Sequence, residues 1–269
     1  MPSRNDAQIL AALETIALDA GRAACELFKA GCKVRHKPDK SPVTEADEAA
    51  EAIILKGLGR ALPGIPILAE EAVHAGTMPS DLGDEFLLVD PLDGTREFVG
   101  GRGDFTVNIA LVRGGVPVIG VVYAPARGWL FAGRPGHAEK ATVDDTYSVT
   151  ERLPVHVRAA RPKPDVVASH SHRDADTDRF IAGLSVGSVV AVGSSLKFCM
   201  LAAGEADIYP RCGPTMQWDT AAGDAVLRAA GGVTATMDGA PLTYGYHEGV
   251  GAGRLQNPWF VARGGGTKG

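Results

Sequence analysis

The sequence predicts an α/β fold in two parts: an α+β N-terminal region over residues 1–160 and an α/β C-terminal region over 161–269. Three observations carry this reading. The chain opens with helical periodicity and then runs through closely spaced hydrophobic strands, the order of an α+β unit. The stretch RAARPKP (158–164), basic and proline-containing, reads as a domain boundary. Beyond it the pattern changes to regular strand–helix alternation, which argues for an α/β unit.

Taken in order, Ile9, Leu13, Ile16, Ala20, Ala24 and Leu27 recur at spacings of three and four and predict a helix from Asp6 to Lys29, with Gly31 at its C-cap. A short strand, Val34 to Lys37, and the loop PDKSP follow. Thr44, with Asp47 three residues on, resembles a capping box and starts a second helix that stops before Pro63-Gly64. Ile65 to Ala69 reads as a buried strand delivering Glu70 and Glu71 at its end. The strand Phe86 to Val89 ends on Asp90, where Pro91, having no N–H to give a sheet, should stop it.

Phe105–Val112 and Val116–Tyr123 form a hairpin around Arg113-Gly114-Gly115, Trp129–Phe131 adds a strand, 133–145 is polar and glycine-containing, and Val155–Val157 closes the region. The second part reads as strand Val166–Ser169, helix Asp174–Leu184, strand Val186–Val192, helix Ser194–Ala203, strand Asp207–Arg211 and helix Asp219–Ala230, ending in a frayed RGGGTKG tail.

At 269 residues the chain can bury a substantial core. A net charge of -5 argues against nucleic acid or an anionic membrane as the main partner and leaves small anionic substrates open. The four cysteines show neither CxxC spacing nor clustering with histidine, so they read as idle or core thiols of a reducing compartment. The start MPSRNDAQIL lacks the order of a signal peptide, and no apolar run approaches the roughly 20 residues of a membrane helix. The expected compartment is the cytoplasm. Peripheral association with the inner membrane surface is the alternative, although no amphipathic basic helix supports it.

The chemistry concentrates in the run FLLVDPLDGTREFVGGRGDFTVN (86–108). Asp90 and Asp93 stand at the tip of a strand, with a turn able to present the Leu92 carbonyl and successive backbone N–H groups to the same point. Such a set suits a hard cation and a phosphate, although Asp-Gly is also a common turn signal. Acids at strand ends occur twice, at Glu70 and Asp90. Neighbouring strands ending in carboxylates repel unless a cation lies between them. Asp47 can serve simply as a first-turn acid on its helix dipole.

In the second part, GSSLKFC places Ser194 at a helix start and Lys197 in its first turn, where an anion could bind; plain serine capping with a surface lysine is the other reading. Trp218-Asp219 begins a helix whose small residues Ala221, Ala222 and Gly223 permit close packing against the first part.

Glu70, DPLDGT (90–95) and Trp218-Asp219 together resemble the metal-dependent phosphatase superfamily of inositol monophosphatases and fructose-1,6-bisphosphatases. DPLDGTREF, FTVNIALV, GSSLKFC, YPR and WDTAAGDAV look most like its 3′(2′),5′-bisphosphate nucleotidases of the CysQ type. The resemblance spans Thr44 to Phe260 and implies a layered α-β-α-β-α sandwich. It implies two or three Mg²⁺ ions held by Glu70, Asp90, the Leu92 carbonyl, Asp93 and Asp219. It also makes Asp47 and Thr95, with Glu70, the groups that act on the attacking water, and Gly94, Thr95 and Arg96 the phosphate cradle. His172, Ser194, Lys197 and Arg211 match nucleotide contacts, while for His172 a structural or surface role is the other reading.

Oxygen-only ligands suit Mg²⁺ rather than zinc. Arg96 stands where many nucleotidases carry lysine, and Ala69 where glycine or serine is common. The implied substrate is a small phosphorylated nucleotide, adenosine 3′,5′-bisphosphate and its 5′-phosphosulfate analogue, with an inositol or sugar phosphate as the alternative. A protein that only binds metal or nucleotide would have no need of the Asp47/Thr95 pair. Lithium inhibition, a link to sulfur metabolism and a monomeric or homodimeric state follow from the same resemblance.

Overall fold

In the computed structural model, residues 5–36, 42–169, 171 and 174–265 are described. Helix α1 (Asp6–Ala30) starts at a capping box in which Asn5 Oδ1 accepts the Gln8 N–H at 2.9 Å and Gln8 returns the bond to the Asn5 N–H. After the short antiparallel pair β1 (Val34–His36) and β2 (Pro42–Thr44) comes α2 (Glu45–Ala61), which Thr44 and Asp47 cap as the sequence suggested. Next come β3 (Ile67–Ala69), the five-residue helix α3 (Glu70–His74), β4 (Glu85–Asp93) and α4 (Thr95–Val99). Strands β5 (Thr106–Arg113), β6 (Val116–Ala124), β7 (Trp129–Arg134), β8 (His137–Val143) and β9 (Val149–Pro154) form a meander.

The second half contains β10 (Asp165–Ser169), α5 (Ala175–Ala182), β11 (Ser188–Val192), α6 (Leu196–Ala202) and β12 (Ile208–Arg211). A 3₁₀ turn (Gln217–Asp219), α7 (Ala221–Ala229), β13 (Val233–Thr236) and β14 (Phe260–Arg263) complete it. Among the described residues, β3 to β9 make a seven-stranded sheet in sequential order, and a five-stranded sheet runs β11-β10-β12-β14-β13. Apolar residues of α1 and α2 pack on one face of the larger sheet, with Leu13, Ile54, Ile109 and Val121 fully buried. Helices α6 and α7 lie between the sheets in a second core with Phe198, Trp218 and Phe260. Ile181 of α5 covers the far face of the smaller sheet with Val166 and Val261. These layers make the α-β-α-β-α sandwich. No helix among the described residues is long and apolar enough to cross a membrane.

Several sequence expectations change. Strand β4 does not end at Pro91. Asp90 pairs with Asn108 and Asp93 with Thr106, so Pro91 and Leu92 together oppose Val107 in a bulge that absorbs the missing N–H. Strand β8 replaces part of the expected polar stretch, and the strand expected at Val155–Val157 lies instead at Val149–Pro154. Nearly all of β9 is exposed, so it carries no hydrophobic signal. Strands β13 and β14 were not anticipated. Within RAARPKP, Arg158 grips both oxygens of Asp207 at 2.7 and 2.6 Å and also bonds Asp165.

The predicted close approach of the small-residue helix is present, and its cause lies on both sides. Gly120 of β6 pairs with Gly133 of β7 under α7. A Cβ on Gly120 would stand 2.3 Å from the Ala222 carbonyl oxygen, and one on Gly133 2.7 Å from the Val226 Cα. The helix backbone therefore rests on the sheet itself.

Candidate active site

The site begins at the parallel pair β3 and β4. Ala69 is in register with Val89, so the residues that follow, Glu70 and Asp90, leave the same end of neighbouring strands. In a regular strand Asp90 and Asp93 would face opposite sides, because side chains alternate. The Pro91–Leu92 bulge inserts one residue and undoes that opposition. Gly94 then takes φ 89°, the left-handed conformation glycine adopts without a Cβ penalty, and starts α4.

Asp219 arrives from the other side. Its carboxylate accepts the Met216 N–H at 2.9 Å in the 3₁₀ turn. Carboxylate oxygens of Glu70, Asp90 and Asp219 lie within 4.8 Å of one another, a group able to hold a metal ion. Among the described residues Asp93 is not part of that tightest trio, yet its charge acts on both Asp90 and Asp219. Burial, then the charges of Glu70, Asp93 and Asp219, pushes the Asp90 carboxyl well above the usual range. Asp219 is raised likewise by burial, Asp93 and Glu70. Asp93 is raised by burial, against which the nearby Lys197 ammonium works. Buried anions crowded in this way call for a cation, and an all-oxygen set with the Leu92 carbonyl close by fits Mg²⁺.

Next to the cluster, the Thr95 hydroxyl lies 3.3 Å from Asp47 Oδ1 and 3.2 Å from the Leu92 carbonyl oxygen. The other Asp47 oxygen accepts from the Thr44 N–H at 2.8 Å and the Thr44 hydroxyl at 2.6 Å. Burial raises Asp47 to about 6 despite these bonds. One turn along α2, burial raises Glu51 to about 7.

The second half of the chain also lines the cleft. Lys197 is buried, not a surface lysine, and donates to the Ser194 carbonyl at 2.5 Å while its ammonium lies 5.2 Å from the Tyr209 ring centroid. Burial lowers it to about 8, partly offset by Asp93. Arg211 is also buried and donates to the Pro214 carbonyl at 2.8 Å. Ser194 adopts φ 49°, and its hydroxyl accepts the Leu196 N–H at 3.4 Å. Arg96 is exposed at the mouth. The resulting cleft of about 380 Å³ is lined by these acids together with Lys197 and Arg211. Of the predicted site residues, His172 lies outside the described residues; the rest line this cleft or, like Asp47, stand directly behind it.

Sequence reasoning did not foresee several supports. Ser195 Oγ accepts from Asn108 Nδ2 at 3.0 Å and donates to the Asp219 carbonyl at 2.7 Å, tying β5, the start of α6 and the 3₁₀ turn together. His74 Nδ1 lies 2.8 Å from the Glu70 carbonyl oxygen, with its ring edge-on to Trp218. The Ser171 hydroxyl donates to buried Glu97 at 2.5 Å. Only the buried-polar pattern after a motif, such as Glu97 behind DGTR, could have flagged them.

The inositol monophosphatase family model matches residues 5–263. The 3′(2′),5′-bisphosphate nucleotidase CysQ of Escherichia coli strain K12 is 44% identical over 232 residues, covering 85% of this chain and 91% of that protein. Among solved structures, CysQ from Bacteroides thetaiotaomicron, described as a bacterial member of the inositol monophosphatase family, superposes with a TM-score of 0.77 at 35% identity. It covers 97% of this chain and 98% of its own. Inositol monophosphatase from Anabaena (Nostoc) sp. PCC 7120 superposes at 0.69 with 26% identity, covering 96% and 90%. With the family model matching nearly the whole chain, this protein belongs to the inositol monophosphatase family.

Proposed function

We propose that the protein is a Mg²⁺-dependent phosphatase that removes the 3′-phosphate of adenosine 3′,5′-bisphosphate, giving AMP and phosphate, and that it accepts 3′-phosphoadenosine 5′-phosphosulfate. The observation that carries this reading is the pairing, in one cleft, of a buried acidic cluster with two buried cations, Lys197 and Arg211. A single phosphate ester needs only the first; a substrate with a second anionic group uses both. The resemblance to CysQ nucleotidases supports the same substrate.

Glu70, Asp90, the Leu92 carbonyl, Asp93 and Asp219 would hold two or three Mg²⁺ ions. Bound there, the metal supplies a nucleophilic water at neutral pH and neutralises charge on the leaving oxygen. Asp47 keeps Thr95 oriented as a hydrogen-bonding partner for that water, and Glu70 contributes from the other side. The backbone at Gly94, Thr95 and Arg96 cradles the scissile phosphate, while Lys197, Arg211, Ser194 and His172 address the nucleotide. In this reading the two sheets belong to two domains divided near residue 160, and the enzyme works in the cytoplasm.

The test is phosphate release with Mg²⁺ from adenosine 3′,5′-bisphosphate and from inositol 1-phosphate at equal concentration. Faster release from the nucleotide is expected. Preference for the inositol ester would overturn the substrate assignment and make the buried cations incidental to it.

A further inference from the structure

Glu51 is a buried carboxylate to which the chemistry above gives no part. It follows Asp47 by four residues on α2, so the two side chains leave the same face of the helix one turn apart. Asp47 reaches Thr95. Glu51 reaches the start of α3, where its two oxygens accept the backbone N–H groups of Ala72 and Glu71, each at 2.8 Å. The first N–H groups of a helix have no partner within it and are ordinarily met by the N-cap side chain. The N-cap of α3 is Ala69, which makes no side-chain cap. Glu51 thus supplies from another helix the cap that the local sequence lacks. The first residue of the helix so capped is Glu70, a member of the acidic trio.

We propose that Glu51 is a positioning residue for the metal centre. By gripping the first turn of α3 it fixes where Glu70 stands against Asp90 and Asp219, and because Asp47 rides on the same helix it also fixes the spacing between Glu70 and the Asp47–Thr95 pair. The alternative of a purely structural buried acid does not account for both oxygens being spent on the one short helix that carries a cluster carboxylate. Groups that orient metal ligands from behind typically change metal affinity about 10–100-fold when removed.

This inference rests on the reading that Glu70 holds metal, and the experiment separates the two. Mn²⁺ binding to the metal-free protein is measured by calorimetry, without substrate, for the wild type, Glu51→Gln, Glu51→Ala and Glu70→Gln. Glu51→Gln keeps one acceptor and should weaken binding about 10-fold, and Glu51→Ala, which keeps none, nearer 100-fold. Glu70→Gln should weaken it at least as much. If Glu70→Gln binds Mn²⁺ like the wild type, the ligand reading fails and the proposal falls with it. If Glu70→Gln is weakened while folded Glu51 variants bind normally, only the positioning role is overturned.

A role confined to stability would lower the melting temperature and leave Mn²⁺ affinity in place, which also counts against the proposal. Should the alanine variant not fold, the nearly isosteric glutamine decides. Should neither fold, hydrogen exchange on the wild type decides: slow exchange at the Glu71 and Ala72 amides supports the cap, and exchange at the rate of an open chain overturns it.

Discussion

The Thr95 hydroxyl stands 3.3 Å from Oδ1 of Asp47 although 48 positions separate them in sequence. Thr44 occupies the other Asp47 oxygen through both its N–H and its hydroxyl, so the carboxylate that caps α2 has one oxygen left and points it at the DGT turn. The capping role of Asp47 and the catalytic role proposed for it therefore fall on different oxygens.

That division leads to the first prediction. Thr95→Val removes the hydroxyl at nearly constant volume, and kcat should fall about 10²–10⁴-fold, the usual size of a lost proton-handling or water-orienting group. Mn²⁺ affinity should change little, because Thr95 contributes no carboxylate to the cluster. Steady-state kinetics beside calorimetric metal binding reads both. A variant that loses metal affinity and rate in equal measure would assign Thr95 to the metal site instead.

The second prediction concerns the basic residues of the cleft. Lys197 is buried beside Tyr209 and holds its charge in the cleft facing Asp93. Lys197→Ala should lower kcat/KM for adenosine 3′,5′-bisphosphate about 10–100-fold, the worth of a charge-assisted hydrogen bond, and affect a simple monophosphate ester much less. Equal losses on both substrates would mean that Lys197 serves the acidic cluster rather than a second phosphate.

These residues were legible in the sequence because their chemistry is local. Asp90 to Thr95 lie within one turn, and Thr44 with Asp47 spells a cap. What was hidden depends on distant partners. The Asn108–Ser195 bond joins positions 87 apart, and Glu51 meets its amides across 20. Pro91 misled because a proline that should stop a strand is absorbed by a bulge, and that same bulge is what lets Asp90 and Asp93 act on one cluster. The closing strand is expected a few residues too late because the residues of β9 face solvent, leaving pairing with β8 as its only signal.

A third prediction follows from the packing that delivers Asp219. At Gly120 a Cβ would overlap the Ala222 carbonyl oxygen at 2.3 Å and the Ala225 Cβ at 2.8 Å, so Gly120→Ala must lift α7 from β6. Overpacking of this kind costs about 1–3 kcal/mol. Because the 3₁₀ turn that carries Asp219 runs directly into α7, the shift should also weaken Mn²⁺ binding. Thermal melts with and without Mn²⁺ check both effects. A variant with wild-type melting in both conditions would show that the sheet and helix are not in the close contact described.

The last prediction lies away from the site, where Arg158 holds Asp207 with two bonds at 2.7 and 2.6 Å and the Asp165 N–H adds a third at 2.7 Å. The Arg158 side chain, chief among these, holds the Asp207 carboxyl below the usual carboxylate range. A depressed folded value means that the unfolded chain takes up a proton first as pH falls. The stabilisation is therefore complete above the unfolded value, about 3.9, declines below it, and is gone once pH passes below the folded value. Asp207→Asn should cost about 2 kcal/mol at pH 7, the range of hydrogen bonds to a charged group. Urea unfolding of both proteins at a series of pH values should show their difference shrinking below about pH 4. A gap that stays constant far into the acid range would mean that the asparagine loses packing rather than charge, and that Arg158 does not secure the start of β12 through its ion pair.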